Sequence, residues 1–181
     1  MRTKLHPWAA AVLVACASAC QSSRYYDAHY LPAPLEVEVA SQTVPGSQVR
    51  ALVSVLGIAR ADEKAGVSRQ AEIRLRLENL GTVEARVAED GFALVTADLQ
   101  AFGAARIAPG TVLAVPAGET RSLDVAFDAP GGDVDWSGLN LRFTLTFDGA
   151  RVATGGTFAR AAYPPIEPVH WHMGIGYGHR W

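Results

Sequence analysis

Residues 70–81 read QAEIRLRLENLG, and their pattern decides the fold class. Ala71, Ile73, Leu75 and Leu77 alternate with Glu72, Arg74 and Arg76. Side chains of a strand point to opposite faces in turn, so this stretch is a strand with one face in a core and the other in water. A helix would need apolar residues every three or four positions, and that period is absent here.

The same rule repeats on either side. Val49, Ala51, Val53 and Val55 alternate, as do Leu123, Val125 and Phe127 in RSLDVAF. In LNLRFTLTF, Leu139, Leu141, Phe143, Leu145 and Phe147 alternate. GFALVTAD, TVLAV and ARVATGGTF are shorter or weaker strand candidates. Turn residues separate them: Pro109-Gly110, Pro116-Ala117-Gly118, Pro130-Gly131-Gly132 and Asp148-Gly149. The last is the strongest hairpin signal, because a type I′ turn needs two residues that tolerate positive φ. About seven or eight short strands so spaced, with no helix of core-forming length, predict an all-β, antiparallel immunoglobulin-like sandwich over 49–160.

Outward from that domain, the N-terminus reads MRTKLHPWAAAVLVACASAC. A basic start followed by an apolar run from Trp8 to Ala15 is the pattern of an export signal; about 20 apolar residues would be needed to span a bilayer. Leu13-Val14-Ala15-Cys16 resembles the bacterial lipobox, in which the cysteine is acylated. Residues 1–15 are therefore expected to be a lipoprotein signal peptide and Cys16 the lipidation site, with Cys20 as the alternative. A disulfide between these two cysteines, the only ones in the chain, is disfavoured by their place beside the cleavage site.

Residues 16–48 then read as a lipidated tether that contains one alternating stretch, Leu35 to Val39. Its Tyr25, Tyr26, His29 and Tyr30 are expected to touch the membrane interface or the domain's own flank. Neither cysteine is followed by Asp, so the expected location is the outer membrane facing the periplasm.

Charge and composition bear on partners. The formal net charge is −2, and loss of a signal carrying Arg2 and Lys4 makes the chain more acidic. No clustered basic stretch offers itself to phosphates, so no nucleic-acid partner is expected.

The segment from Ile73 through ENLG, then VPAGETRSLDVAFDAP and LNLRFTLTFDG, resembles the immunoglobulin-like domains of bacterial envelope lipoproteins, the telokin-like group typified by DUF4352. The matching positions are Asn79 with Gly81, then Pro116, Gly118 and Glu119. The resemblance implies a non-enzymatic domain in the cell envelope.

Chemistry is sparse in the residues themselves. Between Val49 and Arg160 there is no histidine, cysteine or tyrosine, which removes most general acids, bases and nucleophiles. No Gly-rich phosphate loop, G-x-S-x-G or H-E-x-x-H occurs. Asp128, Asp133 and Asp135 cluster around Gly131-Gly132 but lack the spacing of a calcium loop, and read as an inter-strand loop with Trp136 folded back on the core. No catalytic residues and no cofactor are expected, and an unrecognised hydrolase is the least favoured alternative.

Residues 161–181 begin with a proline-rich spacer and end in HWHMGIGYGHRW. With period two, Trp171, Met173, Ile175, Tyr177, His179 and Trp181 share one side, and His170, His172, three glycines and Arg180 the other. The favoured reading is an adhesive segment that binds an envelope protein or the sandwich itself through Trp171, Tyr177 and Trp181. The alternative is a periplasmic transition-metal protein that uses this His/Met tail, with copper, nickel or zinc held by His170 and His172.

Overall fold

The computed structural model of the chain describes residue 26 and residues 28–61 and 68–162. Cys16 and Cys20, the signal, the tail residues His170, Trp171, His172, Tyr177 and Trp181, and the Asp62-Glu63 turn with Lys64 lie outside the described residues.

Among the described residues eleven strands run in chain order: β1 (Tyr30–Leu31), β2 (Leu35–Val39), β3 (Val49–Ala59), β4 (Gln70–Asn79), β5 (Ala85–Val87), β6 (Ala93–Thr96), β7 (Ala105–Ile107), β8 (Ala114–Val115), β9 (Thr120–Asp128), β10 (Gly138–Phe147) and β11 (Ala150–Arg160). One sheet has the order β2-β3-β4-β9-β7, and the other the order β1-β11-β10-β5-β8 with β6 also on β10. All pairings are antiparallel. The runs β3-β4-β9-β7 and β11-β10-β5 reproduce the four-on-three arrangement of immunoglobulin sandwiches, with β1 and β2 added at one side.

The core follows from alternation. Ile73, Leu75 and Leu77 of β4, Leu123, Val125 and Phe127 of β9, and Leu139, Leu141, Phe143, Leu145 and Phe147 of β10 are all buried. On the opposite face Arg74 pairs with Asp124 at 2.7 Å, and Arg50 with Glu36 at 3.1 Å and Glu78 at 3.4 Å. These are surface pairs, and such pairs add little to stability.

In β3 the alternation breaks at Gly57, where a bulge shifts the register and turns Ile58 inward. Its φ of +144° and the approach of Tyr26, whose Cβ would lie 2.6 Å from a Cβ at this position, require glycine there. The Asp148-Gly149 turn has φ of 44° and 83°, the two positive values of a type I′ hairpin.

Two expectations need correction. Residues 30–48 do not lie apart from the domain as tether: β1 pairs with β11, β2 pairs with β3, and Tyr30, Val39 and Ser47 are buried. The sandwich thus starts near Tyr30 rather than Val49, because β11 and β3 both leave an edge that this segment covers. The strand number also exceeds seven or eight, since β1, β5 and β7 are only two or three residues long. Runs so short show no period; neighbouring strands make them strands.

Candidate functional site

The two ends of the sandwich differ in what they gather. At one end the residues that carry the family resemblance meet. Buried Asn79 donates through Nδ2 to the carbonyls of Val83 and Val115, both at 2.8 Å, and accepts from the Gly81 amide at 3.0 Å. Its own amide donates to the Glu119 carbonyl, and its carbonyl accepts from Gly118; Glu119 in turn donates to Pro116. Gly81 packs so closely on the Gly46 carbonyl that a Cβ would run into it. Every polar group of Asn79 is engaged in joining three loops, which is a structural duty with nothing left over for a ligand.

The other end holds the chain's aromatic and terminal features. Tyr30 is buried and donates its hydroxyl to the Trp136 carbonyl at 3.0 Å. The Trp136 ring meets Phe102 edge-on at 5.8 Å, and the Arg69 guanidinium lies 5.3 Å above it. Trp136 is partly buried against the core, as expected of it. Burial pushes the Tyr30 phenol above its usual pKa. Of the tyrosine cluster, Tyr30 thus lies within the domain's own flank, and Tyr26 donates its hydroxyl to Glu72 at 2.8 Å.

At this same end the described chain both enters and leaves. Tyr30 pairs with Arg160, the Arg160 amide donates to Ser137, and the Ala161 amide donates to the His29 carbonyl at 2.8 Å. The segments that bear Cys16 and Cys20 on one side and Trp171 to Trp181 on the other therefore begin within hydrogen-bonding distance of each other.

An open groove of about 1010 Å³ lies on the β4-β9-β7 sheet, lined by Glu72, Glu89, Arg106, Asp124, Leu113 and the Pro109-Gly110 turn. Two of its acids, Glu72 and Asp124, are engaged by Tyr26 and Arg74. The Arg74 hydrogen bonds hold the Asp124 carboxyl below the usual carboxylate range, so it stays ionised and makes a poor general acid. Arg106, across the groove, pairs with Asp128 at 2.7 Å. Among the described residues that line it, no hydrogen bond joins a nucleophile to a base.

The aspartates of the inter-strand loop, Asp128, Asp133 and Asp135, do not converge. Asp128 accepts from Ser68 and Arg106, Asp135 accepts from the Ser137 amide, and Asp133 offers its backbone carbonyl to Gln100. Among the described residues no group of three or more His, Cys, Asp or Glu side chains is gathered as a metal ion would need. None of the described helical turns is long and apolar enough to cross a membrane.

No protein-family model matches the chain, and no curated protein matches it. Among solved structures it is similar to MPT63, a secreted protein from Mycobacterium tuberculosis, with 17% identity over 59% of this chain and 82% of that chain, and a TM-score of 0.43. It is also similar to the Northeast Structural Genomics Consortium target SoR45, with 14% identity over 73% of this chain and 96% of that chain, and a TM-score of 0.40.

Proposed function

We propose that this chain is a non-catalytic, lipid-anchored module of the bacterial cell envelope that binds a protein partner through its C-terminal segment. The observation that carries this reading is the pairing of Tyr30 with Arg160. Because of it, the segment that carries Cys16 and Cys20 and the segment that carries Trp171, Tyr177 and Trp181 leave the sandwich from the same end. The lipobox-like Leu13 to Cys16, the resemblance to envelope lipoprotein domains and the absence of Asp after either cysteine support an outer-membrane anchor that faces the periplasm. The engagement of Glu72 and Asp124 in the groove supports a binding role over hydrolysis, and the paired arginines of the β2-β3-β4-β9 face speak against a polyanion partner.

Metabolic labelling with a fatty-acid analogue tests the anchor: label is expected on the wild type and absent from the Cys16→Ser, Cys20→Ser chain. Label that survives both changes would end the lipoprotein reading. For the binding segment, Trp171→Ala or Trp181→Ala is expected to reduce recovery of a copurifying envelope protein more than His170→Ala with His172→Ala does. Stoichiometric, submicromolar binding of copper, nickel or zinc that the double histidine change abolishes, with association unaffected by the tryptophan changes, would favour the metal-binding alternative instead.

A further inference from the structure

Strand β11 is paired with β10 from Ala150 to Ala159, but on its other edge β1 covers only Ala159 and Arg160. The reason is local. Pro32 and Pro34 follow β1, lack the N–H that a ladder needs, and lead the chain across to the opposite sheet, where β2 begins. From the two-residue Asp148-Gly149 turn onward, Ala150 and every second residue after it bond to β10. The N–H and C=O groups of Arg151, Ala153, Gly155 and Thr157 then point the other way. Among the described residues no backbone group meets them.

Such an edge is a template for another strand, and proteins usually guard it with charge, proline or a bulge. Here the guard is slight. Arg151 is held by Asp90 at 2.9 Å, and beyond it Ala153, Gly155 and Thr157 alternate along the edge. Beside it lie Leu35, Val37 and Val152, partly buried in the seam between the sheets, and Leu31, which is 56% exposed. The two ends of β11 carry opposite charges, since Asp148 precedes the strand and Arg160 closes it. Among the described residues neither of these side chains takes part in an ion pair.

We propose that this edge is the interface of a two-fold dimer, in which β11 pairs antiparallel with β11 of a second copy. A two-fold axis normal to the sheet makes an edge strand its own antiparallel complement. The charges favour this occupant and fix its register. With Ala153 opposite Ala153 of the other copy, Arg151 lies opposite Gly155 and Gly155 opposite Arg151. Three pairs of outward residues then exchange about six hydrogen bonds, and no two large side chains stand directly opposite each other. The same register sets Asp148 of each copy level with Phe158 of the other, two residues from Arg160. The unpaired acid at one end of β11 thereby meets the unpaired base at the other end, twice over. The pairing also stops where β1 begins: the Asp148-Gly149 turn of one copy abuts Leu31 of the other, and the two seams of Leu35, Val37 and Val152 close on each other. This interface involves neither an acyl anchor nor the C-terminal segment.

Sedimentation of the full chain, purified from its membranes and diluted at constant detergent, tests the proposal together with hydrogen exchange at single amides. A monomer–dimer equilibrium is expected, in which the amides of Arg151, Ala153 and Gly155 exchange at least about tenfold more slowly in the dimer. Those of Val152, Thr154 and Gly156, bonded to β10, should be alike in both states and so report that the sandwich is intact. Ala153→Pro removes an N–H that β10 does not use, and is expected to leave the chain monomeric. Arg160→Glu is expected to weaken association about tenfold, and Asp148→Arg added to it to restore association. A chain that sediments as a monomer at every concentration overturns the proposal, and so does a dimer whose outward amides exchange as fast as the monomer's. Protection that does not change on dilution overturns it too, and assigns the edge to a segment of the same chain. Failure of Asp148→Arg to rescue Arg160→Glu, with the β10-bonded amides still protected, has the same force. Loss of the acyl label or of a copurifying partner leaves these readings unaltered, so the two proposals fail separately.

Discussion

At the scale of single residues, Asn79 is where sequence and structure meet most closely. The sequence marks it only as the residue before a turn at the end of an alternating run; the structure gives it three side-chain hydrogen bonds in a fully buried position. Removing the amide takes the Nδ2 donor from the carbonyls of Val83 and Val115, the second of them buried, while the Gly81 amide keeps the Gln48 carbonyl; the loss costs about 1–3 kcal/mol. Asn79→Ala is therefore expected to lower the melting temperature by several degrees, at about 2–4 °C per kcal/mol for a domain of this size. Leu80→Ala, at the half-exposed neighbouring position, should stay within about 0.5 kcal/mol. Equal melting temperatures for wild type and Asn79→Ala, followed by circular dichroism, would show that the three loops hold together without it. Tyr30 lies at the other extreme of legibility. Nothing in RYYDAHY distinguishes it from Tyr25 or Tyr26, because its burial depends on Arg160, Ser137 and Trp136, all more than a hundred residues away.

At the scale of elements, long alternating strands could be read directly and short ones could not. β4, β9 and β10 each bury one whole face, so their sequence had to alternate. β5 and β7 are three residues each, and are held by β10 and β9. The N-terminal strands are the consequential case. Tyr30 and Val39 are fully buried, and burial of each such side chain contributes about 1.5–3 kcal/mol. A chain of residues 49–162 should thus be less stable than one of residues 28–162 by about 3–6 kcal/mol, a large part of the 5–15 kcal/mol typical of a domain. Urea denaturation reads the difference as a lower midpoint or as loss of a cooperative transition. Coincident curves for the two chains would mean that residues 28–48 belong to the tether after all.

At the scale of the whole molecule, the charged face sets the response to pH. Arginine partners hold the Asp124 and Asp90 carboxyls below their usual range, and the Thr96 hydroxyl does the same for Asp98. A carboxyl whose folded pKa is depressed contributes stability that is present above the unfolded value of about 3.9 and is lost as the pH falls through the folded one. Tyr30 has the opposite sign: its raised folded pKa contributes stability below about pH 10 that is lost as the pH rises through the folded value. Urea midpoints are accordingly expected to be nearly flat from about pH 5 to 9, with a fall below about pH 4 and another above about pH 10 that Tyr30→Phe weakens. A main transition near pH 6 would contradict this.

The fold class was fixed by sequence alone, because a half-buried strand forces period-two alternation on every residue and a two-residue hairpin forces Asp-Gly. Which strands neighbour one another, that residues 30–39 belong to the sandwich, and that the two outgoing segments share one end were decided only in three dimensions. Those facts rest on contacts between residues far apart in the chain, and no local pattern records which distant edge a segment will cover.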